Sequence, residues 1–169
     1  MRQKLTSKDG ASFFASKNIA ETTVNDAYFM AMESMATLNS KAAVLMQKYQ
    51  SHGATDVTGF GILGHARNLA EAQIGEVDLV IDRLPIFAGM AEHVVGMPDF
   101  KVTQGFSAET SGGILTMLEA RKTKDFMSEL EQEYGQKSWI VGSVVAGSRK
   151  ARISADAEVV PVKDSFMLR

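Results

Sequence analysis

The stretch "ATDVTGFGILGHARNLAE" (54–71) constrains this chain most: Gly59, Gly61 and Gly64 stand in G-x-G-x-x-G spacing before an apolar-periodic run, with Asp56 three residues ahead of the first glycine. Glycines so placed let main chain approach a phosphate or another backbone without a Cβ in the way, and a following helix directs its positive end at negative charge. A dinucleotide-binding turn is one use of this spacing. Asp82 even closes the next strand-like run about 20 residues later, where the dinucleotide fingerprint places an acid against ribose. The context disagrees. That turn follows a buried parallel strand, whereas "SHGATDVT" (51–58) offers only Ala54 and Val57 as apolar residues. Asp56 would also repel a pyrophosphate in a partly desolvated site.

A divalent cation reverses that last objection. Mg²⁺ is commonly held by one or two carboxylates together with substrate phosphates. Asp56 is then a candidate metal ligand, and Thr55, Thr58 and the backbone at Gly59 and Gly61 are candidate phosphate-facing groups. The plainer alternative is that Asp56 caps a turn and the glycines permit tight packing; the residues alone leave both open. His65, in the first turn after Gly64, could reach a phosphate or hydrogen-bond a carbonyl, the second being the commoner use. His52 and His93 lack ligand spacing, so no zinc site is expected.

The 169 residues, 45% hydrophobic and 22% charged, suit one well-cored domain. A net charge of -2 gives no general attraction to nucleic acid or acidic lipid. The one basic run, "GSRKAR" (147–152), is expected to be a solvated turn. With no cysteine there is no thiolate metal site and no cysteine nucleophile. Nothing has the length of a signal peptide's apolar core or a membrane helix, so a soluble, cytoplasmic chain without membrane or nucleic-acid partners is expected.

Along the chain, residues 1–20 are polar and aperiodic and are predicted to be a linker ahead of a domain over 21–169. A helix should start near Thr22 or Thr23, with Thr23 as N-cap and Asp26 in its first turn. Its stripe of Ala27, Ala31, Met35, Leu38, Ala42, Leu45 and Tyr49 is interrupted at Asn39-Ser40, and its methionines (Met30, Met32, Met35, Met46) are expected to fill core. Further elements are a helix over 62–73, a strand over 76–82, a helix opening at Pro85 and closed by Gly96, and loop over 97–112. A strand at "GGILTMLEA" follows, then a helix through Phe126, Leu130 and Tyr134 ended by Gly135, with Arg121 and Asp125 as an i,i+4 pair. Three short strands, "SWIVGSVV", "ARISA" and "EVVPV", finish the chain. The order is that of an α+β domain.

Four stretches carry a family resemblance: "AYFMAMESMATLNSKAAVLM" (27–46), "HGATDVTGFGILGHARNLAE" (52–71), "ETSGGIL" (109–115) and "WIVGSVVAGSRKARI" (139–153). In order and spacing they resemble the C-terminal half of selenophosphate synthetase (selenide, water dikinase), of the superfamily that includes aminoimidazole ribonucleotide synthetase. The resemblance covers roughly residues 20–160 and implies an α/β/α layered α+β domain of the aminoimidazole ribonucleotide synthetase C-terminal type, partly ferredoxin-like. It implies an ATP-dependent reaction in which selenide, ATP and water give selenophosphate, AMP and phosphate. Asp56 matches the aspartate this half contributes to the Mg²⁺ cluster, and Thr110, Ser111, Gly112 and Gly113 form a second motif loop. The family's second motif usually begins with proline, where this chain has Ala108, which loosens the expected loop geometry. The nucleophilic cysteine or selenocysteine, its neighbouring lysine and most metal-binding aspartates belong to an N-terminal ATP-binding domain not in this sequence. The chain alone is therefore expected to be inactive. The full-length protein is expected to be a homodimer, and this chain by itself a monomer. Another superfamily enzyme, or a non-catalytic interaction module on the same fold, are the alternatives.

Overall fold

A computed structural model describes residues 19–88, 90 and 101–163. The expected lead up to residue 18, His93 and most of the helix expected to end at Gly96 lie outside them. The described elements are α1 (Glu21–Ala36), α2 (Ser40–Lys48), β1 (Gly53–Asp56), α3 (Gly61–Glu71), β2 (Val77–Phe87), β3 (Ile114–Met117), α4 (Ala120–Tyr134), β4 (Gly142–Ala146) and β5 (Ala151–Val162). They form an α+β fold with one antiparallel ladder, β1-β3, and a mixed three-stranded sheet in the order β4-β2-β5.

Helix α3 explains the core. Leu63, Ala66, Leu69 and Ala70 recur at three and four residues and pack on Leu79, Ile81 and Leu84 of β2, Met117 of β3 and Ala151 of β5. Burying each leucine or isoleucine there contributes about 1.5–3 kcal/mol. A second cluster joins α2 to α4 through Leu45, Phe126 and Leu130, with the Tyr49 and Phe126 rings edge to face at 5.7 Å. Gly135 ends α4 as expected. At φ 65° it allows Gln136 N–H to reach back to the Leu130 carbonyl at 3.2 Å.

Several expectations are corrected. Helix α1 starts at Glu21 behind Ala20, with no side-chain cap, so Thr23 lies inside the helix. Of its methionines, Met32 and Met35 are exposed, as are Phe29 and Leu38, while Met46 packs on the second cluster. Arg121 pairs with Glu119 at 2.6 Å, its neighbour across the helix start, instead of Asp125. Pro85 continues β2 instead of opening a helix. Its partner is Val160 of β5, and β4 stops pairing at Ile81, so among the described residues no second strand requires the proline's missing N–H. The last two expected strands form one 12-residue strand, β5, whose halves pair with β2 in different registers across the irregularity between Ile81 and Arg83. The strand expected from Ser138 is only Gly142–Ala146.

Residues 147–150 of the basic run form the exposed turn expected between β4 and β5, while Ala151 and Arg152 begin β5 and Ala151 is buried. Asp78 of β2 clamps the turn, accepting from Lys150 N–H at 2.9 Å and Ser148 N–H at 2.8 Å, with Arg152 at 3.4 Å. Those backbone bonds hold the Asp78 carboxyl below its ordinary 3.8.

Candidate functional site

The β1-β3 ladder creates the site. Gly53 faces Met117 and Asp56 faces Ile114, so the chain leaving β1 and the chain entering β3 emerge side by side at one end. That brings the two glycine motifs, 56–61 and 109–113, into contact. Val57 N–H bonds the Gly113 carbonyl at 2.9 Å, and the Thr58 carbonyl accepts from Glu109 N–H at 2.9 Å and Gly61 N–H at 3.1 Å. Strand β1 is four residues long and antiparallel to its partner, which is not the buried parallel strand a dinucleotide turn requires.

Asp56 stands at this ladder end with its surface exposed. Its main-chain oxygen accepts from the Thr55 hydroxyl at 2.9 Å. Among the described residues no group of three or more His, Asp or Glu side chains is placed to hold a metal ion. Next to the Asp56 carboxylate in the chain stand the hydroxyls of Thr55 and Thr58 and main-chain groups, with Glu109 joined to Thr58 through its backbone N–H. An oxygen set with so few carboxylates fits Mg²⁺ shared with substrate phosphates, and it does not fit a self-contained metal cage.

The glycines divide by what a side chain would meet. Gly61, at φ 67°, has no room: a Cβ would lie 2.5 Å from the Gly105 carbonyl oxygen, and its N–H is occupied by Thr58. Gly112 lies equally close under the Val57 carbonyl and the Glu109 side chain. Gly59 and Gly113, one in each motif, face open space. Thus Gly112 packs the second motif against the first, Gly61 packs the first motif against residues 105–106, and each motif keeps one glycine open toward solvent. Ser111, at φ 48°, is held in the left-handed region that non-glycine residues seldom adopt, and Thr110 beside it is exposed.

Beside Gly59 an open groove of about 450 Å³ runs along the outer face of α3, past Phe60, Arg67 and Phe106. The Arg67 guanidinium lies 5.1 Å from the centre of the Phe106 ring. On the inner face His65 is buried, and its Nε2 is 3.1 Å from the Thr58 hydroxyl. It therefore meets a side-chain hydroxyl, not the carbonyl expected from sequence. His52 is exposed, its backbone N–H bonding Met117.

Two residues at the site have roles that local sequence does not reveal. Asn39, in the break between α1 and α2, leaves the helix end uncapped and donates from its side chain to the Gly112 carbonyl at 3.1 Å. Asn39, in the first resembling stretch, thereby reaches the second motif loop. Glu109 is exposed as a residue, while its carboxylate is set against Gly112. Desolvation there pushes its pKa up to about 7 from an ordinary 4.5. The folded chain then keeps a proton that the unfolded chain releases, so stability falls as pH rises through that window and levels off above it. Thermal unfolding from about pH 5 to about pH 8 is expected to show this decline, and Glu109→Gln, which cannot ionise, should flatten it.

Residues 7–154 match the family model described as AIR synthase related protein, C-terminal domain, and the chain belongs to that family. It is 47% identical over 147 residues to selenide, water dikinase 2 of Homo sapiens, covering 85% of this chain and 33% of that protein. It is 44% identical over 124 residues to selenide, water dikinase of Trypanosoma brucei brucei, covering 72% of this chain and 32% of that protein. It is also 40% identical over 153 residues to the probable selenide, water dikinase of Caenorhabditis elegans, covering 86% and 40% respectively. The chain spans about a third of the length of the first two relatives and two fifths of the third. No helix among the described residues is long and apolar enough to cross a membrane.

Proposed function

We propose that this chain is the C-terminal domain of an ATP-dependent selenophosphate synthetase, which converts selenide, ATP and water to selenophosphate, AMP and phosphate. The observation that carries the proposal is the ladder end, where Asp56 lies beside two open glycines from two different motifs. The names of the relatives support the substrate assignment.

Bound Mg²⁺ would neutralise phosphate charge and orient the phosphoryl groups, the larger part of what a protein contributes to phosphoryl transfer. Asp56 would hold it from this side. Gly59 and Gly113 give a triphosphate room to approach main chain. Thr55, Thr58 and the exposed Thr110-Ser111 stretch supply hydroxyl donors. One carboxylate does not assemble a metal cluster, and the chain has no cysteine. The nucleophile and the remaining ligands would therefore come from an N-terminal ATP-binding domain of the same polypeptide, which homodimerises in the cytoplasm. Phe29, Met32, Met35 and Leu38, exposed on and just after α1, are the kind of surface such a domain would cover.

Selenide-dependent AMP release tests this reading. The full-length protein should release AMP only when selenide is present, and the 169-residue chain should release none. Turnover by the chain alone would contradict the need for a second lobe, and selenide-independent turnover of another substrate would assign the fold to a different enzyme of the superfamily.

A further inference from the structure

The buried histidine beneath the first motif has no part in the scheme above. His65 lies on the core face of α3, 8% exposed, with Phe60 tilted against its ring at 5.4 Å between centres. Its Nε2 meets Thr58, one of the residues that join the two motif loops: the Thr58 carbonyl accepts from Gly61 in its own motif and from Glu109 in the other, and its hydroxyl meets His65. A threonine hydroxyl has one proton and two lone pairs. A phosphate oxygen can only accept. For the Thr58 proton to be available to a phosphate, the bond from His65 must enter an oxygen lone pair, which requires the proton on Nε2.

Resting on the functional reading above, we propose that His65 is a positioning residue for nucleotide binding. Its Nε2–H donates to the Thr58 hydroxyl, so that the hydroxyl proton is directed outward to a phosphate oxygen of Mg-ATP. The donor order runs from the buried ring through threonine to substrate. Without the ring the hydroxyl is free to rotate and to satisfy itself on nearby main chain, and the outward donor is lost. His65 touches no substrate and acts through Thr58 alone.

The test has two arms. In the full-length protein, calorimetry with Mg²⁺ and a non-hydrolysable ATP analogue compares Thr58→Val, Thr58→Ser, His65→Phe, His65→Gln and the double variant Thr58→Val/His65→Phe. Thr58→Val and His65→Phe should each weaken binding roughly tenfold, the scale of one hydrogen bond to a charged group. Because they remove the same donor chain, the double variant should be no weaker than either single one. Thr58→Ser and His65→Gln, which keep a hydroxyl and an N–H donor, should stay within about threefold. Unchanged affinity in both apolar variants, or additive losses, would overturn the proposal. A wild-type protein that binds no nucleotide would instead overturn the functional reading itself. The second arm uses the 169-residue chain and stands even if His65→Phe fails to fold. Long-range nitrogen-proton NMR should find the neutral His65 ring protonated at Nε2, and protonation at Nδ1 with a bare Nε2 would sink the donor order.

Discussion

Asp56→Ala in the full-length protein is expected to lower selenide-dependent AMP formation by on the order of 100-fold or more while leaving the fold intact. The two halves of that expectation have separate causes. Asp56 is exposed, and the Thr55 hydroxyl bonds its main-chain oxygen, not its carboxylate, so the truncation removes little that holds the domain together. Exposed positions of this kind change stability by less than about 0.5 kcal/mol. On the proposed role of Asp56, function differs because a metal-bound triphosphate carries several charges, and losing a ligand charge on one side would leave them less well neutralised in the transition state. Asp56→Asn, which keeps an oxygen without the charge, should fall between wild type and alanine. Steady-state rates at saturating ATP, set beside melting curves of the same preparations, check both halves. A variant that melts normally and turns over normally would remove Asp56 from the mechanism.

Gly61→Ala is expected to produce the opposite pattern, a large loss of stability. An alanine at φ 67° costs about 1–2 kcal/mol relative to glycine. Its Cβ would lie 2.5 Å from the Gly105 carbonyl oxygen and 2.7 Å from Phe106 main chain, which are backbone atoms that cannot swing aside. Overpacking of that kind adds about 1–3 kcal/mol. Together these predict a melting temperature lower by roughly 5–15 °C for a domain of this size. Gly59→Ala is the matched control. Open space surrounds it, so its melting temperature should barely move, while a methyl group there should hinder a phosphate's approach. Differential scanning calorimetry of both variants in the 169-residue chain decides the first point. Equal melting temperatures would mean that the turn tolerates a side chain and that Gly105 and Phe106 do not crowd it.

How far the sequence revealed this arrangement depended on whether a signal was local. The i, i+4, i+8 series Phe126, Leu130, Tyr134 and the glycine after it place α4 and its end correctly, because amphipathic period and a left-handed cap are properties of a few neighbouring residues. Helix α3 and the start of β2 are legible for the same reason. Strand β1 is not: Gly53, Ala54, Thr55 and Asp56 have little strand character, and they are extended because β3, some 60 residues on, pairs with them. Pro85 misleads because a proline can open a helix or stand in a strand where no second neighbour needs its N–H, and only the extent of β4 decides between them.

The site divides along the same line. Asp56 and the glycines of both motifs are visible as motifs, and the ladder brings them together. Which glycines pack and which stay open is invisible in G-x-G spacing, since it depends on Gly105 and Val57 arriving from elsewhere. Asn39 resembles an ordinary N-cap and is not used as one. Glu109 acquires its high pKa from the fold of its own loop over Gly112, which no neighbouring charge in the sequence foretells.

The most direct measurement of the central claim is a crystal structure of the full-length protein with Mn²⁺ in place of Mg²⁺ and a non-hydrolysable ATP analogue, with the metal located by anomalous scattering. An ion within about 2.1–2.3 Å of an Asp56 carboxylate oxygen and also bound to phosphate oxygens is the predicted result. Metal ions that bridge the phosphates while Asp56 points away from all of them would contradict it.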